Sequence, residues 1–151
     1  MVLRLGTTAR RTDTGGHRLF AGSPGTQVVK IFDQAAARTG MRDHEAAAAR
    51  FAPVTVASQD DDHNPCYRGT HRITIRVTGD RGTGRLLDMQ LFGHKNAEIA
   101  KRIDIAAAAI FHGMTVEAVS DLDLSYTPPL GSPWEAVQMG AQAWTRATQG
   151  H

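Results

Sequence analysis

The sequence contains a single cysteine, Cys66, among its 151 residues. One thiol excludes a disulfide framework within the chain and any CxxC redox pair. Lys and Arg number 17 and Asp and Glu 15, so the net charge is only +2, and the cations are dispersed. A nucleic-acid surface shows clustered cations, so we expect no nucleic-acid partner. No apolar run approaches the ~20 residues of a membrane helix, so we expect no membrane partner and a cytoplasmic location.

Aromatic residues make up only 6% of the sequence, so the core must be built from Ala, Val, Ile and Leu. A chain of this length usually forms one domain. Residues 1–24 are poor in apolar side chains and rich in Gly, Thr and Arg. That composition predicts a flexible N-terminal segment, and we assign the folded domain to residues 25–151.

Strand patterns dominate the first two thirds of the chain. The grouped apolar residues of 27–32 predict a strand that is buried on both faces and continued by 35–37. Residues 73–78 alternate apolar and polar side chains, and 86–92 return as their partner. A shorter alternation at 54–56 predicts another strand, followed by a polar loop.

Helical spacing replaces alternation in the last third. Apolar residues three and four apart predict a helix over 97–112, ended by Gly113. Asp43 and Thr115 are suitable N-caps for two short helices. Ser132, followed by Pro, Trp and Glu, predicts the start of the terminal helix, with Ser132 as its N-cap. Strands first and helices last predict an α+β fold, an antiparallel sheet covered on one side by helices.

The terminal helix carries an apolar seam of residues three and four apart. Its members are Trp134, Val137, Ala141 and Trp144. This stripe is equally typical of core packing and of a subunit interface, where Trp is enriched. Tyr126 lies in a segment stiffened by Pro128 and Pro129, which suits either a positioned ligand contact or a structural hydrogen bond.

Two other groups of residues have competing interpretations. The glycine-rich stretch 79–84 lies between two strands and not before a helix, so we interpret it as a hairpin turn and not as a dinucleotide-binding loop. The polar loop offers potential metal ligands, although their spacing fits a zinc site poorly and favours a solvated acidic loop. These ligands are Asp60, Asp61, Asp62, His63, Cys66 and His71. Cys66 and His63 could act as nucleophile and base, but an incidental thiol is the favoured interpretation.

Several blocks of sequence occur in a fixed order. They are Lys101-Arg102-Ile103-Asp104-Ile105, then Met114-Thr115-Val116, then Ser125-Tyr126-Thr127-Pro128-Pro129 with Ser132-Pro133-Trp134. Together with 25–33 and 37–40, which match its first strands, these blocks resemble the C-terminal dimerisation domain of FAD-dependent pyridine nucleotide-disulfide oxidoreductases. The coenzyme A-disulfide reductase and NADH oxidase branch is the most similar, and the resemblance covers nearly the whole chain.

The resemblance implies roles for particular residues. Relatives have an FAD domain, an NAD(P)H domain and a redox cysteine, none of which fits within residues 1–24. The stretch 5–9 resembles the end of the flavin domain, so 1–24 are interpreted as its remnant. Tyr126 is implied to approach the partner subunit's substrate and cysteine. Tyr67 matches the second tyrosine of a pair in the family, whereas Cys66 and Arg68 replace the residues on either side of it.

These observations support three hypotheses. The first is a dimerisation domain of a flavin- and NAD(P)H-dependent oxidoreductase that forms a homodimer, carries no cofactor itself and is not catalytic alone. Its interface would include the seam of the terminal helix, with Tyr126 and Tyr67 acting across the dimer. The second is an assembly partner that donates Tyr126 to the active site of a full-length flavoprotein disulfide reductase. The third is a small metal- or ligand-binding module that uses the loop at 60–71.

Overall fold

A computed structural model, which describes residues 22–149, contains one five-stranded antiparallel sheet. The spatial order of the strands is β1-β2-β5-β4-β3. Their bounds are β1 (Gln27–Ile31), β2 (Gln34–Gly40), β3 (Pro53–Asp61), β4 (Arg72–Asp80) and β5 (Leu86–His94). The prediction of an α+β fold with an antiparallel sheet is confirmed. Most of the segment predicted to be flexible, residues 1–21, lies outside the described residues.

Helices cover one face of this sheet, as predicted. The described range contains α1 (Asp43–Ala48), α2 (Ile99–Phe111), α3 (Val116–Ser120) and α4 (Ala136–Gln149), and the last three form this cover. Helix α2 packs over β2 and β5, α4 packs over β3 and β4, and α3 packs against α4. Helix α1 lies at one end of the opposite face, where Asp43 Oδ1 accepts hydrogen bonds from the hydroxyls of Thr55 and Thr78. Hereafter this opposite side is called the open face.

The central hairpin of β4 and β5 supplies the core. Their alternating apolar side chains, such as Ile75 and Leu91, are buried beneath the helices. Gly140 allows α4 to approach closely, because a Cβ at this position would lie 2.6 Å from Ile75 Cγ2. Trp144 packs over Gly79 and donates its indole N–H to a backbone carbonyl of β3, at 2.7 Å. Small residues therefore set the distance between helix and sheet.

The prediction for the first strand is wrong in two respects. All five residues of β1 are exposed, because β1 is the edge strand and lies beyond the cover of α2. Residues 35–37 do not continue it; they belong to β2, which returns antiparallel after a turn at Phe32 and Asp33. Phe32 is 89% exposed and has a φ of 51°, so an aromatic side chain occupies the tip of this hairpin.

Several predicted boundaries also need correction. Helix α1 begins at Asp43 itself, and Arg42 is the N-cap, with its amide donating to Glu45 Oε2 at 2.7 Å. Strand β3 extends to Asp61 and includes residues that the polar pattern had placed in a loop. Helix α4 begins after Glu135, whose carboxylate accepts the amide of Val137 at 2.6 Å. Ser132 is therefore not its N-cap.

Candidate functional site

One end of the sheet gathers the segments that sequence reasoning singled out. Strand β3 ends at Asp61 and β5 ends at His94, so the loop 62–71 and the start of α2 project from the same end. The β1–β2 turn joins them, since Lys95 Nζ pairs with the carboxylate of Asp33 at 2.6 Å. We call this the loop end of the domain.

Tyr67 is half exposed in the loop 62–71. Asp62, which is only 4% exposed, holds this loop in place. Its Oδ1 accepts the amide of His71 at 2.9 Å and lies 2.9 Å from the ring nitrogen Nδ1 of His63. The hydroxyl of Thr70 donates to the carbonyl of Tyr67, also at 2.9 Å. Hydrogen bonds to the buried Asp62 therefore hold the loop in place, while the side chain of Tyr67 stays at the surface.

Tyr126 lies in the segment between α3 and α4 and is also half exposed. Leu130 and Trp134 in the same segment are 75% and 54% exposed. The segment is anchored by Gln138, whose side-chain amide donates to the carbonyls of Ser120 at 3.0 Å and Leu122 at 2.7 Å. Three large side chains therefore project from a segment whose beginning is fixed to α4.

Arg102, which sequence reasoning placed only within a family block, lies between these two segments. Its side chain is buried, and its guanidinium donates to the carbonyls of Ala97 and Asp62, each at 2.8 Å. It also forms an ion pair with Glu135. The sequence feature that could have identified Arg102 is its position in the helix. A cation three residues after Ile99 falls on the apolar face of α2 and needs a partner there.

The predicted seam of the terminal helix divides in two. Val137, Ala141 and Trp144 are buried against the chain's own sheet. Trp134 precedes the helix and is the one member with substantial exposed surface. Core packing therefore accounts for the first three, and the interface prediction depends on Trp134.

The six candidate metal ligands do not all converge on one point, although Asp62 lies 2.9 Å from the ring of His63 and 3.5 Å from that of His71. Asp60 and Asp61 lie in β3, where Asp61 pairs with Arg72 at 3.0 Å. Burial raises the pKa of Asp60. Cys66 is exposed, and His63 is within 3.2 Å of the hydroxyl of Thr70. Between residues 22 and 149, no group of three or more His, Cys, Asp or Glu side chains is arranged to hold a metal ion.

The glycine-rich stretch forms the predicted turn between β4 and β5. Asp80 organises it by accepting hydrogen bonds from the amide of Ala52 at 2.7 Å and the hydroxyl of Thr83 at 2.6 Å. Burial alone would raise the pKa of Asp80, but these hydrogen bonds outweigh it and lower the pKa. Since a strand follows the turn, it presents no helix N-terminus and does not fit the pyrophosphate of a dinucleotide.

The open face of the sheet carries an apolar depression of about 310 Å³. Val29 and Phe92, both half exposed, lie on either side of Ala36 in neighbouring strands. Arg38 and Arg76 border them. Apolar side chains surrounded by cations form a second surface that another protein could cover.

In the described part of the chain, no helix is both long and apolar enough to cross a bilayer.

The family of pyridine nucleotide-disulphide oxidoreductase dimerisation domains matches residues 26–137. A "NAD(P)H sulfur oxidoreductase (CoA-dependent)" from Pyrococcus furiosus is 33% identical over 132 residues, which are 87% of this chain and 29% of the relative. The chain thus spans less than a third of that relative's length.

Solved structures give the same result. A NAD-dependent persulfide reductase from A. fulgidus superimposes with a TM-score of 0.85 and 31% identity, covering 90% of this chain and 25% of that one. The crystal structure of reduced Bacillus anthracis CoADR-RHD has a TM-score of 0.81 and 29% identity, covering 88% of this chain and 24% of that one. Sequence and fold agree that this chain belongs to the pyridine nucleotide-disulphide oxidoreductase dimerisation-domain family.

Proposed function

We propose that this chain acts as a self-associating dimerisation module and is not catalytic by itself. The observation that carries the proposal is the segment between α3 and α4, which exposes three large side chains, those of Tyr126, Leu130 and Trp134. Tyr and Trp are enriched among the residues that dominate binding energy at protein interfaces. In a family defined by dimerisation, such a segment is the natural contact with a second copy.

Tyr126 and Tyr67 would act across this contact. Both phenols are half exposed, so each can donate or accept a hydrogen bond to a partner subunit. The chemistry of the family depends on FAD and NAD(P)H, which supply hydride and electron transfer when bound. We propose that no such cofactor binds to this chain alone, so the purified protein should be colourless. A stoichiometric flavin spectrum would contradict this.

Sedimentation velocity over a range of concentrations tests self-association. We expect a reversible dimer of the 16.3 kDa chain. Trp134→Ser should raise the dissociation constant about tenfold or more, because it removes a large aromatic contact. Phe111→Ser is the matched control: Phe111 is 43% exposed but ends α2, at the opposite end of the helix from the loop end. A monomer at every concentration, or equal effects of the two variants, would refute the proposal.

A second candidate is assembly with a separate, longer flavoenzyme chain. It is favoured by the open face, where the depression at Val29, Ala36 and Phe92 is uncovered. Such a partner would receive Tyr126 at its active site. To test this, tagged chain is mixed with a full-length relative, and hybrid dimers are separated by means of the tag. Recovery of homodimers alone would contradict the second candidate. We place either assembly in the cytoplasm, where an exposed free thiol such as Cys66 stays reduced.

A further inference from the structure

A continuous chain of hydrogen bonds links the Tyr67 loop to the Tyr126 segment. It starts at the carbonyl of Asp62, which accepts from Arg102 Nη2 at 2.8 Å. Arg102 Nη1 pairs with Glu135, and the amide of Glu135 donates to Gln138 Oε1 at 3.1 Å. The amide nitrogen of Gln138 then donates to the carbonyls at the start of the Tyr126 segment. Four separate parts of the chain meet in this path.

Burial makes the path rigid. Arg102 is 8% exposed and Gln138 5% exposed, and the side chain of Glu135 is 14% exposed. Each nitrogen of the guanidinium has its own acceptor, and both ends of the Gln138 amide are used. A buried polar group that loses its partner is costly, so neither segment can shift without disturbing the other. The network therefore joins parts of the chain that are 40 residues apart in sequence.

We propose that Arg102, Glu135 and Gln138 are positioning residues that fix the Tyr67 loop and the Tyr126 segment as one contact surface for a second copy of this chain. The inference rests on the proposed self-association and adds which surface dimerises and what holds it in shape. A contact surface fixed before binding avoids the entropic cost of ordering two loops on association.

Charge complementarity supports a second copy of this chain as the partner that binds this contact surface. Arg68 is exposed in the Tyr67 loop, and Asp121 and Asp123 are exposed at the start of the Tyr126 segment. Within residues 22–149 none of the three has an ion-pair partner. If the loop of one copy packs against the segment of the other, two-fold symmetry repeats the contact, so Arg68 would meet the two carboxylates twice per dimer.

Gln138→Met tests the coupling, because it keeps the side-chain volume and removes the hydrogen bonds. Gln142→Met is the matched control, the same substitution one turn later in α4. The hydrogen-bond partners of the Gln138 side chain are Glu135, Ser120 and Leu122, all outside the loop 62–71, so faster amide exchange in that loop reports transmission through Glu135 and Arg102. We expect exchange in 62–71 and 120–124 to accelerate about fivefold or more in Gln138→Met. The control should leave both segments unchanged.

Sedimentation velocity of the same variants tests whether this surface forms the dimer contact. We expect Gln138→Met to raise the dissociation constant about tenfold or more and Gln142→Met to leave it unchanged. If Gln138→Met does not fold, Arg102→Lys serves instead, because it retains the charge but loses the planar set of donors. Its control is Arg146→Lys on the exposed side of α4.

The outcomes separate this inference from the proposed function. A wild-type chain that is monomeric at all concentrations overturns self-association and the docking surface together, while exchange still decides whether the network couples the segments. A wild-type dimer whose affinity is unchanged by Gln138→Met, with exchange altered only at 120–124, overturns the network and leaves self-association standing. Loss of affinity with transmitted exchange supports both.

Discussion

Asp88 gives the fold a pH dependence that can be measured. This carboxylate lies on the open face of β5 and is fully buried. Gln90 donates to Oδ2 at 2.9 Å, whereas Arg38 stays 3.7 Å from Oδ1. Burial raises the pKa of Asp88 from 3.8 to about 6, more than the hydrogen bond from Gln90 and the charge of Arg38 can offset. Asp43 adds to the rise and Arg76 opposes it.

The size of the effect follows from the shift. Since one pKa unit corresponds to about 1.4 kcal/mol, the ionised carboxylate costs the folded state up to about 3 kcal/mol. The folded chain binds the proton more tightly than the unfolded chain between about pH 4 and pH 6, so the contribution of Asp88 to stability falls as pH rises through that window. Above about pH 6 the penalty is constant. Asp88→Asn removes it and should stabilise the protein at neutral pH by about 1–3 kcal/mol.

Urea unfolding of both proteins at about pH 4, 5, 6 and 7 measures this difference directly. The gain from Asp88→Asn should be small at the lowest pH and grow to its full value near neutrality. Asp104→Asn, at an exposed carboxylate of α2, is the control and should show no such trend. If Asp88→Asn is destabilising at neutral pH, the attraction between Asp88 and Arg38 outweighs burial and the reasoning is wrong.

Three further substitutions test the packing by thermal or urea unfolding. Gly140→Ala should destabilise by about 1–3 kcal/mol, because the new Cβ would lie 2.6 Å from Ile75 Cγ2; a stabilised variant would show that α4 can move away. Trp144→Phe should cost about 1–3 kcal/mol, since it leaves the partly buried carbonyl of Val54 without the indole donor; an unchanged stability would contradict this. Thr115→Ala should cost about 1 kcal/mol by removing the N-cap of α3, whose hydroxyl oxygen accepts the amide of Ala118. Thr115→Ser should retain most of that stability, and equal losses in both variants would argue against capping.

Local chemistry accounts for the elements that the sequence predicted well. The alternation at 73–78 is visible because one face of β4 packs beneath helices and the other is open. Thr115 caps α3 as expected, and Gly113, with a φ of 67°, follows α2 as predicted. The apolar spacing of α2 locates its buried face. In each case the signal lies within a few residues of its effect.

The failures involve information that the local sequence does not hold. Whether the apolar residues at 27–31 are buried depends on the position of β1 at the sheet edge, which is set by pairing with β2 and by the reach of α2. The position of Trp134 fits helical spacing, but Trp134 lies before α4, because the helix begins only after Glu135, whose carboxylate caps it. The bond from Arg102 to Asp62 joins residues 40 positions apart. The family blocks pointed to Tyr126 but not to the network that holds its segment.

Intermolecular contacts in a dimer assembled from isotope-labelled and unlabelled chains test the central claim most directly. Isotope-filtered nuclear Overhauser spectra report only protons that approach across the interface. If the loop end is the dimerisation surface, the rings of Tyr126 and Trp134 should show contacts to the other copy, together with protons of the Tyr67 loop. Contacts confined to Val29 and Phe92 on the open face, or none at concentrations where dimer is present, would contradict the account.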